Sequence, residues 1–308
     1  MKTKGNTYFY KNIGLYLLLL PAMMYYIIFK YIPMYGILIA FQKYNIFQGV
    51  FHSQWIGFDT FKEILTQKTF WNVLLNTLRL NIISLIFGFP APIILALFLN
   101  EIRSTGFKRV IQSISYLPHF ISWVIVYGML LAFVNKDTGL INATLTHMGL
   151  NQIEFLTDRS WWLFTYVLSG IWKEVGWATI LYISAITAID LQLYEAAAID
   201  GAGKLRCMWN VTLPGIRSTI VIILILNIGK MMSIGFEQPY LMGNAMVSNI
   251  SNVLSTFIYD TGILKAQFSY TAAIGLFQSV INFILLMLAD FISRRLGEDG
   301  LFGGRTHA

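Results

Sequence analysis

Glu195-Ala-Ala-Ala-Ile-Asp-Gly-Ala-Gly-Lys-Leu-Arg-Cys-Met-Trp-Asn-Val-Thr-Leu-Pro214 is a small, polar stretch in a chain that is otherwise apolar almost throughout. Asp190 stands before it as an N-cap, and Leu191, Tyr194, Ala197 and Ala198 recur at helical spacing up to Gly201 and Gly203. The pattern predicts a short helix with one apolar face, a glycine turn, and a second helical stretch closed by Pro214. Ala196, Ala197 and Ala198 let another surface come close, and Glu195 and Asp200 offer it two carboxylates. This is the anatomy of a helix placed in another protein's groove.

The surroundings of that stretch are those of a membrane protein. The chain has 308 residues, 56% of them hydrophobic and 12% charged, where an average globular domain carries about 25% charged residues. Apolar runs fall at 13–29, 73–99, 110–134, 161–186, 216–235 and 271–292, each near the roughly 20 residues that cross about 30 Å of hydrocarbon. They predict an all-α, polytopic protein with six transmembrane helices and no soluble domain between them. Pro21, Pro90 and Pro92 are tolerable as kinks. Lys2, Lys4 and Lys11 precede the first run as in a signal peptide, but no small-residue cleavage site follows, and Pro21, Lys30 and Pro33 lead on into a polar loop.

Three segments follow from these runs. Residues 1–72 hold the N-terminal segment, the first span and an outer loop, in which Thr60-Phe61-Lys62-Glu63 reads as a capping box opening a short interfacial helix with Phe61, Ile64 and Leu65 on one face. Residues 73–292 form a five-helix core that includes the loop 187–215, and 293–308 a tail. The Lys and Arg residues set the orientation. They gather at Lys2, Lys4 and Lys11, at Arg103, Lys108 and Arg109, at Lys204, Arg206 and Arg217, and at Arg294, Arg295 and Arg305. Both termini and the Glu195 loop are therefore expected in the cytoplasm. The net charge of +7 expresses this bias with some contact to anionic lipid, and nucleic acid is not an expected partner. Cys207, the only cysteine, lies in the same loop and reads as a reduced structural residue.

Glu195-Ala196-Ala197, then Gly201, then Val211 and Leu213-Pro214 resemble the cytoplasmic E-A-A loop of permease subunits in binding-protein-dependent ABC importers, with Val211 where isoleucine is common. Asp200-Gly201-Ala202 adds to the likeness. Tyr31-Ile32-Pro33-Met34-Tyr35-Gly36, Tyr116-Leu117-Pro118-His119-Phe120, Gly170-Ile171-Trp172-Lys173 and Gly235-Phe236-Glu237-Gln238 are similar to the maltose-type, carbohydrate-uptake branch that takes oligosaccharides and polysaccharide fragments. The resemblance implies a type I ABC importer permease fold in a bacterial cytoplasmic membrane. It also implies a heterodimer with a second, homologous permease, two cytoplasmic ATPase subunits and an extracytoplasmic sugar-binding protein. Glu195, Ala196, Ala197, Asp200, Gly201, Leu213 and Pro214 would then couple to the ATPases, which use ATP and magnesium while this chain binds no cofactor.

The residues themselves carry no ATPase chemistry. Gly203-Lys204 brushes against a phosphate loop, but Ala198 stands where its first glycine is needed and Leu205 where Ser or Thr would hold magnesium. His52, His119, His147 and His307 show no metal-ligand spacing. Charge within a span is costly and marks an interior or a water-filled path. Lys173 and Glu174 in the fourth run and Lys230 in the fifth are such charges, and Trp172, Trp177 and Tyr182 offer aromatic faces of the kind that bind sugar. Cavity lining and interhelical pairing, for example Glu174 with Lys230, both remain open for them, and Arg79 reads as snorkelling or paired. Glu237 and Gln278 complete the candidate path, Gln278 sharing a helix face with Asn282 for substrate or a neighbouring helix. Trp161 and Trp162 read as interfacial anchors. The reading is an oligosaccharide permease working by alternating access; an ion-coupled secondary transporter or channel, with the loop a mere connector, is the alternative.

Overall fold

The computed structural model describes residues 11–295 and Gly297. The expected charges at Lys2, Lys4 and Arg305, His307 and most of the expected tail lie outside these residues. Among the described residues the only strands are Gln42–Lys43 and Gln54–Trp55, antiparallel with Gln42 opposite Trp55. The other regular elements are helical.

One compact unit comprises residues 11–66 and Thr261–Phe277. Helix α1 runs Ile13–Phe41, past the end expected near residue 29. The sequence reading took Lys30 and Pro33 for the start of a loop. The chain stays helical because its pitch changes there: a π-type turn over Ile27–Tyr31 precedes a 3-10 segment, Ile32–Phe41, with Pro33 in its first turn. Proline's ring crowds the carbonyl four residues back, and widening the turn before it relieves that clash. None of the most apolar window of α1 is buried by the rest of the chain.

Beyond the strand pair, helix α2 (Asp59–Thr66) begins one residue before the expected cap, so Thr60 lies inside the helix. Its buried residues are Thr60 and Ile64, whereas Leu65 faces outward. Phe41 packs its ring against those of Trp55, Phe58 and Phe61, and the Tyr44 N–H donates to Ser269 Oγ at 2.9 Å.

The second unit holds Gln67–Asp260 and the described residues from Gln278 onward. Helix α3 (Lys68–Glu101) is a long span with Gly88 and Pro90 near its middle. Helices α4 (Thr105–Phe120) and α5 (Trp123–Val134) cover the third run but meet at 105°. A continuous span was expected at this position. Pro118 enters a 3-10 turn, Ile121 is extended, and Ser122 starts a new helix by accepting the Ile125 N–H at 3.4 Å. After α6 (Leu140–His147), helix α7 (Arg159–Thr187) opens on Asp158, whose carboxylate accepts the N–H groups of Ser160 and Trp161. Its 29 residues at about 1.5 Å each are ample for a full crossing.

Helix α8 (Leu191–Ile199) leaves α7 at 73°, and α9 (Lys204–Gly215) meets α10 (Arg217–Ile228) at 61°. The fifth run was expected to be helical to residue 235, yet α10 ends at Ile228. Gly229 and Gly235 flank a non-helical stretch before α11 (Glu237–Met242). Helix α12 (Phe268–Arg295) contains the whole sixth run. Helices α1, α3 and α12 are each long and apolar enough to cross a membrane, and there are up to six spans if each bent pair is one.

The core corrects one further expectation. Trp162 is not an interfacial anchor: it is fully buried, packs with Leu80, Tyr166, Met242 and Val253, and donates its indole N–H to the Met242 carbonyl at 2.8 Å. Its neighbour Trp161 is 40% exposed. A second cluster of Ile93, Ala96, Tyr182, Ile186 and Ile216 receives Leu213 and so ties α9 to α3 and α7.

Candidate functional site

Two features of the second unit carry chemistry, a protruding helix and a largely apolar cavity with a few polar and charged groups on its wall. The protrusion begins at Asp190, whose carboxylate accepts the Gln192 N–H at 2.9 Å and caps α8. At the other end Gly201 has φ +73°, the Gly201 N–H donates to Ala198 O at 3.0 Å and the Ala202 N–H to Ala197 O at 2.9 Å. This pair of bonds closes the helix in a Schellman turn, and only glycine enters that left-handed conformation without strain. Tyr194 Oη lies 3.0 Å from Thr212 Oγ1 and pins α8 to α9.

Tyr194 and Ala197 alone on α8 are half-buried; Glu195, Ala196 and Asp200 are exposed, and so are Leu191, Leu193 and Ile199, the last at 87%. The predicted face Leu191-Tyr194-Ala197-Ala198 is thus divided. Its middle holds the loop together, while Leu191 and Ala198 turn outward. Pro214 is also exposed, in the last turn of α9.

The cavity, about 680 Å³, is walled by α3, α7, α10 and the non-helical stretch after α10. Its position explains why α10 stops short. Irregular backbone at membrane depth is tolerated where it lines a water-filled cavity or is buried in protein, and residues 230, 231 and 233–238 all face this one. Of the sequence candidates, Glu174, Tyr182, Lys230 and Glu237 line it; Trp172, Lys173, Trp177 and Gln278 do not. Trp123, Tyr166 and Asn227, which sequence reasoning passed over, also stand on the wall, as does Gln238, which it quoted only as part of a resemblance. The signal for Trp123 was its place just beyond Ser122, a helix cap inside an apolar run; Asn227 offered only a polar side chain near the end of another.

The remaining candidates have their hydrogen bonds elsewhere. Gln278 donates to the Met232 carbonyl at 2.7 Å, and Asn282 accepts the Met232 N–H at 2.9 Å while donating to Ser233 Oγ at 2.8 Å. Asn81, from α3, donates to Met231 O at 2.8 Å. These amides replace the ladder that the chain loses beyond Ile228. Lys173 does the same for the third span, as its ammonium meets the carbonyls of Pro118, His119 and Ile121 at 3.2, 2.7 and 2.7 Å. Glu174 Oε2 lies 2.8 Å from His119 Nδ1, and its Oε1 is 4.0 Å from Lys173 Nζ. An ion pair of Glu174 with Lys230 is not found among the described residues. Trp177 lies flat on the His119 ring, with centroids 4.6 Å apart, and Arg79 is exposed.

Spans that break around a cavity lined by both apolar and charged side chains, with α7 bending into a protruding helix, are the architecture of a membrane transport component. The chain belongs to the family of binding-protein-dependent transport system inner membrane components, which matches residues 88–298. Protein LplB of Bacillus subtilis (strain 168) is 46% identical over 288 residues, 94% of this chain and 91% of that protein. The polygalacturonan/rhamnogalacturonan transport system permease protein YteP of the same organism is also 46% identical, over 94% of this chain and 90% of its own. Among solved structures, a chain of a bacterial alginate ABC transporter, in complex with an alginate pentasaccharide-bound periplasmic protein, superposes with a TM-score of 0.87 at 37% identity, covering 96% of this chain and 99% of that one. The chain is accordingly a non-catalytic permease subunit with the type I ABC importer permease fold.

Proposed function

We propose that this permease passes an oligosaccharide inward across a bacterial cytoplasmic membrane by alternating access, paired with a second, homologous permease. An extracytoplasmic binding protein delivers the sugar, and two cytoplasmic ATPase subunits drive the cycle with ATP and magnesium. Both termini and α8 face the cytoplasm, where α8 seats in an ATPase subunit. The observation that carries this reading is α8 itself: a helix capped at both ends, half-buried at Tyr194 and Ala197, whose Glu195, Ala196 and three large aliphatic side chains are exposed among the described residues. Support for a saccharide comes from the cavity, where Trp123 and Phe236 line the same wall as Glu174, Lys230, Glu237 and Gln238, the mixture of aromatic faces and polar groups that binds sugar. It also comes from the relatives, which are named for polygalacturonan, rhamnogalacturonan and alginate.

Gly201→Leu tests the coupling. No atom lies within 4 Å of a Cβ built at Gly201, so the cost inside the chain is the left-handed backbone alone, about 1–2 kcal/mol. The added bulk acts on whatever surface meets α8. The variant is expected to insert in the membrane but to lose co-purification with the ATPase subunits and sugar uptake. Wild-type uptake and co-purification in this variant, or uptake that survives removal of the ATPase, would overturn the reading.

A further inference from the structure

We propose that Lys173 is a positioning residue of the transport cavity, a single ammonium that sets two cavity-wall side chains on two different helices; the inference rests on the transport reading above. The 105° bend between α4 and α5 ends a helix within an apolar span. A helix end leaves its last carbonyls without intrahelical donors, and in a membrane those carbonyls need a donor from elsewhere. An ammonium has three N–H donors and no acceptor. Lys173 is 6% exposed and meets three carbonyls, those of Pro118, His119 and Ile121. Its hydrogen-bonding capacity is thereby filled, and it does not line the cavity. This lysine completes the broken third span and stands behind the cavity wall rather than on it.

The consequence reaches the cavity through two neighbours. Trp123, the first residue of α5, has its ring 5.8 Å from the Lys173 ammonium, and Glu174, next along α7, is held by His119 Nδ1 at 2.8 Å, inside the same bend. Trp123 and Glu174 both stand on the cavity wall. Trp177 stacks on His119 with the two rings nearly parallel. Fixing the bend at Lys173 therefore fixes an aromatic face and a carboxylate of the cavity together.

The test uses the complete importer with its ATPase subunits and binding protein, reconstituted in proteoliposomes. Cys207 is the only cysteine, so C207S gives a clean background for W123C on the wall beside Lys173 and, as a distant wall position on α3, S84C. In K173A the labelling rate of W123C by a charged methanethiosulfonate is expected to change about tenfold, the effect of losing roughly one charge-assisted hydrogen bond, while S84C stays within about twofold. Methylammonium, which supplies N–H donors, restores the W123C rate; tetramethylammonium, with the same charge and no donor, does not.

Equal changes at both cysteines, or no change at either, would reduce Lys173 to general fold maintenance and overturn the proposal. So would restoration by both cations alike. Should K173A fail to co-purify with the ATPases, K173Q, which keeps two donors, is read in its place by the same two cysteines and the same criteria. Binding-protein-stimulated ATP hydrolysis is measured on the wild-type preparation. Its absence would sink the transport reading and leave the labelling comparison to judge Lys173 separately.

Discussion

At Gly176 the backbone of α7 lies tight against that of α4. A Cβ built there would lie 2.0 Å from the Ser115 carbonyl oxygen and 2.3 Å from its carbon, both main-chain atoms that have no rotamer by which to move away. Gly176→Ala is therefore expected to force the helices apart and cost about 1–3 kcal/mol, read as a lower melting temperature in detergent. The paired tryptophans give a second comparison. Trp162→Phe strands the buried Met242 carbonyl that the indole N–H now serves, a loss of about 1–3 kcal/mol. Trp161→Phe, at a 40% exposed position, is expected to stay within about 0.5 kcal/mol. Equal melting temperatures for the two variants would contradict the assignment of Trp162 to the core.

In the loop region between α5 and α7, Lys136 Nζ meets Glu154 Oε1 at 2.5 Å. The hydrogen bond from Lys136 holds the Glu154 carboxyl below its ordinary range, and the same bond raises Lys136. A depressed carboxyl stabilises the fold above its unfolded pKa, near 4.5, and loses that contribution as pH falls through the folded value. A raised lysine keeps its contribution below its unfolded pKa, near 10.5, and loses it as pH rises through the folded value. Glu154→Gln should accordingly lower the melting temperature slightly at neutral pH and leave it unchanged once pH falls below the folded carboxyl pKa. A difference from wild type that persists undiminished in acid would rule out this pair as the cause.

At the scale of elements, the polar residues inside the spans have one recurring use. Asn81, Lys173, Gln278 and Asn282 each bond backbone near a place where a neighbouring span stops being helical. Asn282→Leu, which removes both the acceptor for the Met232 N–H and the donor to Ser233, should destabilise by about 1–3 kcal/mol and loosen the stretch after α10. Faster hydrogen exchange confined to residues 229–236 is the expected sign, and unchanged exchange there would refute it.

The sequence pattern located every one of these spans and capped α8 at the correct residue, because hydrophobicity and caps are local. It did not show that the third and fifth runs are interrupted. An apolar run looks the same whether its backbone is helical or is satisfied by a side chain from 50 residues away, as between Met232 and Asn282. For the same reason the charges in the fourth run pointed to the interior in general. Glu174 lies on the cavity and its neighbour Lys173 does not.

For the whole molecule, the proposed orientation can be read from one atom. Cys207 is the only thiol and is partly accessible, in the α9 segment next to the E-A-A helix. A membrane-impermeant thiol reagent should label it in inside-out vesicles and spare it in right-side-out ones. Labelling in right-side-out vesicles alone would place α8 on the far side from any cytoplasmic ATPase.

Composition and periodicity by themselves determined an all-helical membrane protein, and the spacing from Asp190 to Gly201 determined a short helix capped at both ends. Both are properties of residues close together in the chain, where transfer into lipid and helix capping act. Only the tertiary structure decided which polar residues face the cavity and which complete a neighbour's backbone. That choice depends on where carbonyls and N–H groups are left without partners, and those places exist only once the spans have bent and packed.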